Sequence, residues 1–158
     1  MPLYPDIQEK FSLHALNTFH LESVARYFTE VETVEQVQEL IRSEVFQKNP
    51  LLLLGGGSNL LFTGNFKGIV VHLANKGKEI ISQSDNLVLV KAQAGENWHE
   101  FVSWCIEKGF GGLENLSLIP GNVGSCPIQN IGAYGIEVKN SIHSLEAIDL
   151  ESGELKTF

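Results

Sequence analysis

The residues best suited to chemistry in this chain are glycines in two clusters. The longer cluster is the segment 118–135, which reads Leu-Ile-Pro-Gly-Asn-Val-Gly-Ser-Cys-Pro-Ile-Gln-Asn-Ile-Gly-Ala-Tyr-Gly and contains no charged side chain. A core helix or strand does not tolerate so much Gly and Pro. The composition fits a chain that lies along a large ligand and offers it backbone N–H groups, although an irregular buried loop has the same composition.

The second cluster is Gly55-Gly56-Gly57-Ser58-Asn59, directly after the apolar run 51–54. It is not a dinucleotide fingerprint, which needs glycine where Leu60 stands, and it lacks the Lys and Ser/Thr of a P-loop. Successive N–H groups in such a turn can still converge on an anion without Lys or Arg. A tight turn between strands is the alternative, but two glycine clusters in one chain favour a cofactor that contains phosphate.

Composition and charge exclude several classes of function. A net charge of −8 without a Lys/Arg cluster argues against nucleic-acid binding. The apolar runs are shorter than the about 20 residues of a membrane helix, and residues 1–6 do not form a signal peptide. Cys105 and Cys126 form no CxxC pair, so we expect a cytoplasmic protein. The sequence shows no protein partner. No metal site is expected, because the five histidines are scattered: His14, His20, His72, His99 and His143.

The shorter glycine cluster follows a predicted strand–helix–strand unit. A strand is expected over 25–31 and a buried strand over 51–54. The helix between them has Thr33 as N-cap, with Gln36 completing a capping box, and it ends before Pro50. This order predicts a parallel pair joined by a crossover. The glycine cluster would then lie at the carboxyl end of the second strand, where open α/β sheets bind their ligands.

The longer glycine cluster follows further predicted elements. Strands are expected over 68–73 and 87–93, and an amphipathic helix over 98–106, which Gly109 ends. Residues 145–158 have the pattern of a hairpin around a turn at 151–154. Because the chain stops inside the second strand of that hairpin, we expect a truncated polypeptide.

Four segments in the same order resemble the UDP-N-acetylenolpyruvoylglucosamine reductase family, whose members are also called UDP-N-acetylmuramate dehydrogenases. The segments are Asn17-Thr18-Phe19, Gly55 to Phe62 (Gly-Gly-Gly-Ser-Asn-Leu-Leu-Phe), Ala94-Gly95-Glu96-Asn97-Trp98, and Gly112-Leu113-Glu114-Asn115-Leu116 continuing through Gly135. The resemblance implies an α+β FAD-binding domain of the vanillyl-alcohol-oxidase type with two α/β subdomains. The first would span 1–73 and the second, incomplete, 74–158, with the family's substrate-binding third domain absent from the chain.

The resemblance also implies which residues hold the cofactor. The FAD phosphates would lie against Gly55, Gly56, Gly57, Ser58 and Asn59. The remainder of FAD would lie along Ile119, Pro120, Gly124, Ser125, Ile128 and Gly132, and Tyr134 would line the substrate side. Two positions depart from the family pattern: Gly56 replaces a Glu of some members, and Cys126 replaces a small residue. Cys126 could be a redox centre, but a small buried apolar side chain is the simpler interpretation.

The family's reaction passes hydride from NADPH to FAD and then to the enolpyruvyl double bond of UDP-N-acetylglucosamine enolpyruvate. The family's serine, glutamate and arginine for this step lie beyond the point that matches Phe158, so no catalytic residue is expected here. Ser103 and Ser117 are interpreted as structural, and Glu96, Glu114 and Glu137 as solvated or capping residues rather than general acids. Two alternatives stay open: a flavin- or nucleotide-binding module without catalysis, and another oxidase of the same fold with covalent FAD, although neither glycine cluster contains a histidine for attachment.

Overall fold

The computed structural model describes residues 5–158, which form two compact units. One unit comprises the chain up to Ala74 together with Glu146–Phe158, and the other comprises Asn75–Leu145. Residues 1–4, which carry part of the expectation that no signal peptide is present, lie outside the described residues. The first unit has two buried apolar clusters and the second unit has one.

The first unit is built on a four-stranded sheet. Its strands and helices are β1 (Gln8–Ser12), β2 (Val24–Val31), α1 (Val34–Ile41), α2 (Glu44–Lys48), β3 (Leu51–Leu54) and β4 (Phe66–Leu73). The strand order is β1-β2-β4-β3, with β1 antiparallel to β2 and the other pairs parallel. The predicted strands of this unit are confirmed. The prediction missed β1, because only Phe11 of its five residues is even partly buried and the strand has no apolar alternation.

The single helix predicted after Thr33 is in fact two helices. The Thr33 hydroxyl accepts a hydrogen bond from the Gln36 N–H (3.2 Å), as expected for an N-cap. The Gln36 side chain accepts from the N–H of Glu32 (2.7 Å), one residue earlier than a capping box requires. Ser43 has extended backbone angles and caps α2 by accepting from the Phe46 N–H (3.2 Å). An N-cap residue is not helical, so Ser43 divides the apolar stripe between two helices.

The expected direct pairing of β2 with β3 is wrong, although both strands run parallel as predicted. β4 lies between them, and Ile69, Val70 and Val71 of β4 are almost completely buried, as a central strand with two covered faces requires. β3 is an edge strand. Leu54 is fully buried, but Leu53 is 48% exposed, so the run 51–54 is not the uniformly buried strand that its leucines predict.

The two faces of this sheet pack against different parts of the unit. On one face, which we call the loop face, Phe28, Leu54 and Val70 pack against the segments that contain Leu13 and Leu16 and that contain Leu60 and Phe62. On the other face, Val31, Ile69 and Val71 pack against Leu40 of α1. The chain that follows β3 therefore returns over the loop face.

The second unit combines a hairpin, a helix and a long irregular segment. Its strands and helix are β5 (Lys78–Gln83), β6 (Val88–Ala92), α3 (Trp98–Glu107), β7 (Gly132–Ala133) and β8 (Ile136–Glu137). β6 and α3 are confirmed predictions, whereas β5, the antiparallel partner of β6, was missed. The Asn97 side chain caps α3 by accepting from the Glu100 N–H, and Gly109 takes the predicted left-handed conformation at φ +76°. Three short 3₁₀ turns interrupt the irregular segment: Glu114–Leu116, Val123–Ser125 and Val138–Asn140.

The C-terminal hairpin is confirmed, but it groups with the first unit. Its strands are β9 (Glu146–Ile148) and β10 (Leu155–Thr157), and the Asp149 carboxylate accepts from the N–H groups of the turn. The Gln38 side chain of α1 donates to the Gly153 carbonyl (2.8 Å), which ties the turn to the first unit. The expected second subdomain, 74–158, therefore differs from the compact unit 75–145 at its C-terminal end.

The described residues contain neither a membrane-spanning helix nor a cluster of metal-ligating side chains. No helix within 5–158 has both the length and the apolar character to cross a membrane. In the same residues, no three His, Cys, Asp or Glu side chains lie close enough together to hold a metal ion.

Candidate functional site

Gly57 is the residue around which the shorter glycine cluster is built. Its φ is +63°, and a Cβ atom placed there would lie 2.0 Å from the carbonyl oxygen of Leu16. The Thr18 N–H donates to the Gly57 carbonyl (3.3 Å) across the same contact. Only glycine allows this approach of two backbones. The predicted ligand residue Gly57 is thus buried and required by packing, whatever the loop binds.

Asn17 fixes the segment against which Gly57 packs. It is 2% exposed, and its amide donates to the carbonyls of Leu13 (2.8 Å) and Leu21 (3.1 Å) while its oxygen accepts from the Leu21 N–H (3.0 Å). A buried side-chain amide that satisfies backbone groups on both sides of a loop holds that loop in one conformation. The Asn17-Thr18-Phe19 segment therefore holds the backbone against which Gly57 of the glycine loop packs.

The other residues of this loop suit an anion. Gly56 and Asn59 are exposed, and Gly55 and Ser58 are partly buried. Among the described residues, the N–H groups of Gly56, Gly57 and Ser58 donate to no backbone or side-chain acceptor. Unpaired N–H groups on successive residues of a bend are a suitable environment for a phosphate oxygen. The loop of this chain therefore fits a diphosphate group, and it brings the five predicted residues together at the carboxyl end of β3.

Gly124 plays the same structural part in the longer segment. A Cβ atom on Gly124 would lie 2.5 Å from the Ala94 Cβ, and the Gly124 N–H donates to the Ala94 carbonyl (2.8 Å). The neighbouring Val123 N–H donates to the Glu96 carbonyl (2.9 Å). These bonds hold the 3₁₀ turn Val123–Ser125 against the segment after β6. Ser125 is the last residue of this turn and is partly buried.

Glu96 is a buried member of an ion pair, so the expectation of a solvated or capping glutamate is wrong for this residue. It is 6% exposed, and its carboxylate accepts from the Gly77 N–H (2.7 Å) and from the Lys78 ammonium (3.0 Å). Burial disfavours the charged form, but these two donors outweigh it and hold the pKa of Glu96 below its usual value. The carboxylate is therefore ionised at neutral pH and does not act as an acid.

Glu114 is exposed and Glu137 is partly buried, and both agree better with the expectation. The N–H of Gly112 donates to the Glu114 carboxylate, and backbone hydrogen bonds lower the pKa of Glu114. Lys139 contacts the Glu137 carboxylate and lowers the pKa of that group in the same direction. Neither carboxyl group holds a proton near neutral pH.

Ser125 and Cys126 differ in what their side chains contact. The Ser125 hydroxyl donates to the Asn122 carbonyl (2.8 Å) and accepts from the Asn122 N–H (3.3 Å), so it closes the turn that it occupies. Its remaining lone pair is an acceptor. Cys126 is 5% exposed within the apolar cluster, and burial raises the pKa of its thiol to about 12. This thiol has the environment of a small buried apolar side chain.

The outer part of the longer segment is exposed and has strained backbone. Ile128 is 86% exposed and Tyr134 is 88% exposed, and Pro120 and Gly132 are also on the surface. Leu118, Asn130 and Tyr134 all have positive φ, at +63°, +43° and +52°. Such strain in residues other than glycine is concentrated at functional sites. Leu118 and Tyr134 combine positive φ with a large exposed side chain, so this part of the segment is a surface available to a ligand.

Tyr134 lies in a turn that explains its conformation. Ala133 and Ile136 pair across β7 and β8, which leaves Tyr134 and Gly135 as a two-residue connection with φ values of +52° and +79°. Positive φ at both positions defines a type I′ hairpin turn. A Cβ on Gly132 would meet the Ile136 carbonyl at 3.0 Å, so Gly132 is also fixed by the hairpin.

Trp98 and His99 position the start of the longer segment, and the sequence analysis gave neither residue this role. The Trp98 indole N–H donates to the Leu116 carbonyl (2.7 Å), and the Trp98 backbone N–H donates to the Gly121 carbonyl (3.0 Å). The His99 Nδ1 lies 3.0 Å from the Ser117 hydroxyl. The first turn of α3 therefore holds both ends of residues 116–121. The sequence feature that could have indicated this role is the adjacent Trp and His at the start of a clearly amphipathic helix. Ser117 is structural, as expected.

Comparison with known proteins identifies the class to which these loops belong. A family model described as "FAD binding domain" matches residues 25–158. A UDP-N-acetylenolpyruvoylglucosamine reductase of Flavobacterium johnsoniae is 50% identical over 153 residues, which are 97% of this chain and 45% of that protein. The reductase of the same name from Pseudomonas putida is 46% identical over 151 residues, 96% of this chain and 44% of its own length. The chain thus spans less than half the length of these relatives.

A solved structure agrees with the fold. The crystal structure of UDP-N-acetylenolpyruvylglucosamine reductase from Thermus caldophilus has a TM-score of 0.72 and 22% identity, and the match covers 98% of this chain and 52% of that one. The expected α+β fold class is confirmed. Since the family match covers most of the chain and includes both glycine segments, the chain belongs to the FAD binding domain family, and its cofactor is FAD.

Proposed function

We propose that this chain forms the FAD-binding part of a reductase that converts UDP-N-acetylglucosamine enolpyruvate to UDP-N-acetylmuramate with NADPH in peptidoglycan synthesis. One observation carries the proposal: the chain is 50% and 46% identical to two such reductases over almost its whole length. A binding module without catalysis would not need to retain this much of a reductase sequence.

The residues of the chain would divide the cofactor between them. The N–H groups of Gly56, Gly57 and Ser58 would bind the diphosphate, with Gly55 and Asn59 at its edges. The partly buried Ile119, Gly124 and Ser125 would line the rest of FAD, together with the exposed Pro120, Ile128 and Gly132. When bound, FAD would supply hydride transfer between NADPH and the enolpyruvyl double bond. The small side chains would exclude water along the flavin, and Tyr134 would lie on the substrate side.

The proposal also concerns the protein that contains this domain. Because the chain spans about 45% of its relatives, we assign the reduction to that whole protein, with the proton donor and the substrate-binding residues other than Tyr134 outside residues 1–158. The buried, unpaired Cys105 and Cys126 favour a cytoplasmic location.

Titration of the chain with FAD tests the cofactor part of the proposal. Quenching of flavin fluorescence should give a saturable dissociation constant. Ser125→Ala should weaken binding, because the Ser125 hydroxyl bonds to Asn122 and closes the turn that would lie along FAD, and losing such a hydrogen bond costs about 0.5–1.5 kcal/mol. The matched variant Cys126→Ala should leave the affinity unchanged, since the thiol lies in the apolar cluster. Equal losses in the two variants would contradict the residue assignment.

Assays on the protein that contains this domain test the activity. Acid denaturation should release all the flavin into solution, because neither loop offers an attachment residue; flavin retained in the precipitate would favour the covalent alternative. NADPH oxidation should depend on UDP-N-acetylglucosamine enolpyruvate. The 158-residue chain loaded with FAD should show no such turnover, since positioned acid catalysis alone contributes about 10²–10⁴-fold. Turnover by the chain near the rate of the longer protein would refute the proposed division of roles.

A further inference from the structure

One basic side chain lies at the carboxyl edge of the parallel strands, beside the glycine loop. In the register of the sheet, His72 of β4 pairs with Leu54 of β3 and with Glu30 of β2. Neighbouring strands are about 4.8 Å apart. Gly55 directly follows Leu54, so the backbone of His72 lies next to the residue at which the loop begins.

The His72 side chain is also on the face over which the loop returns. Side chains alternate between faces along a strand, and Val70, two residues before His72, belongs to the loop face. Its ring lies 6.5 Å from the ring of Phe28, which packs on that face as well. Gly57 packs against Leu16, whose side chain covers the same face. His72 and the glycine loop therefore share one side of the sheet.

Glu30 orients the imidazole. Its Oε1 lies 2.8 Å from the His72 Nδ1. A carboxylate only accepts hydrogen bonds, so Nδ1 carries the proton. The His72 side chain is 18% exposed, whereas that of Glu30 is 54% exposed. Among residues 5–158, no hydrogen-bond partner of the other ring nitrogen, Nε2, is found. The ring is thus fixed in place with one nitrogen available to a ligand.

Basic residues are scarce at the end of the parallel strands where the glycine loop lies. The chain has a net charge of −8, and the loop itself contains no Lys or Arg. The other basic residues of the parallel strands, Arg26 and Lys67, lie near the opposite, amino ends. Of the residues that face His72, Glu30 of β2 has a carboxyl group, whereas Phe28 of β2 and Leu54 of β3 are apolar. His72 is the basic group of these strands that is placed to meet an anion on the loop.

We propose that His72, oriented by Glu30, is a cofactor-binding residue that donates a hydrogen bond from Nε2 to the diphosphate held by residues 55–59. This inference rests on the proposed function. Because Nδ1 already donates its proton to Glu30, a hydrogen bond from Nε2 to an anion requires a second proton on the imidazole ring. Since histidine side chains in general take up this proton at lower pH, FAD binding should strengthen as the pH falls from about 8 to about 6.

Isothermal titration with two diphosphate probes tests the inference. FAD and ADP-ribose carry the same diphosphate diester, which does not titrate near neutral pH, and adenosine carries none. The unaltered chain should bind both diesters about 10-fold more tightly near pH 6 than near pH 8, as expected for one hydrogen bond to a charged group. His72→Gln should abolish this pH dependence. His72→Lys should keep tight binding at both pH values. The matched control His143→Gln, an exposed histidine of the other unit, should behave like the unaltered chain.

Each other outcome overturns a defined part of the argument. If neither FAD nor ADP-ribose binds to the unaltered chain, the proposed function fails and this inference fails with it. If both bind and His72→Gln keeps the pH dependence, only the inference about His72 is overturned. If His72→Gln loses the same affinity at both pH values and also unfolds at a lower urea concentration, the role of His72 is structural. If adenosine binding shows a pH dependence of the same size, the pH effect does not come from the diphosphate and the inference is overturned.

Discussion

Removing either member of the buried pair of Glu96 and Lys78 should destabilise the second unit. Glu96 is 6% exposed, and its carboxylate accepts from both the Gly77 N–H and the Lys78 ammonium. Removing one member of a buried ion pair costs about 3–5 kcal/mol. Glu96→Gln leaves a neutral oxygen that can still accept from Gly77, so we expect a smaller loss of about 2–3 kcal/mol. With a urea m-value of about 1.5 kcal/mol/M, the unfolding midpoint should fall by about 1.3–2 M.

Tryptophan fluorescence is the appropriate assay. Both tryptophans, Trp98 and Trp104, belong to α3, so their emission reports on the second unit without a contribution from the first. Lys78→Met, which keeps the apolar stem, should also destabilise. The double variant should lose at least about 1 kcal/mol less than the sum of the two single variants, because the two groups interact directly. Glu107→Gln, at the exposed end of α3, is the matched control and should change stability by less than about 0.5 kcal/mol.

The pH dependence of this difference has a defined sign. The pKa of Glu96 is lower in the folded protein than in the unfolded chain. Its contribution is therefore fully present above the unfolded value of about 4.3, and it is lost as the pH falls through the folded pKa. The stabilities of the unaltered chain and Glu96→Gln should converge in acid. A constant difference down to the lowest folded pH, or single-variant losses below about 0.5 kcal/mol, would refute the reasoning.

Three further outcomes follow from the geometry. Gly57→Ala should destabilise the first unit by about 1–3 kcal/mol in urea unfolding followed by circular dichroism, because the added Cβ would overlap a backbone carbonyl. The control Gly64→Ala, whose Cβ would have no atom within 4 Å, should cost less than about 0.5 kcal/mol. Equal losses in the two variants would contradict this explanation. Tyr134→Asn should raise stability by up to about 1 kcal/mol, since Asn tolerates positive φ at this turn position, and a loss would contradict the assigned strain. Cys126, whose pKa is about 12, should react with a thiol reagent near pH 8 only when the chain is unfolded by urea; rapid reaction of the folded chain would contradict its burial.

The glycine-rich segments could be located from the sequence because their composition has few other uses. Runs such as Gly55 to Gly57 or Pro120 to Gly124 cannot form regular core elements, so their presence already indicates backbone that approaches another group closely. The periodicity of α3 and the parallel direction of β2 and β3 were also predictable, since apolar spacing and the N-cap at Thr33 are local properties. Short polar strands such as β1 carry no such pattern, and pairing with β2 alone makes them strands.

The sequence by itself therefore determined the glycine loops, the strands and helices with a clear apolar pattern, and the family to which their order belongs. The tertiary structure decided why glycine is needed at particular positions. Gly57 and Gly124 allow Leu16 and Ala94, which are far away along the chain, to approach closely. The tertiary structure also decided that Glu96 is buried with Lys78, and that His72 stands beside Leu54. Sequence patterns record the preferences of neighbouring residues, whereas these pairings depend on the register and packing of distant segments, which only the folded chain specifies.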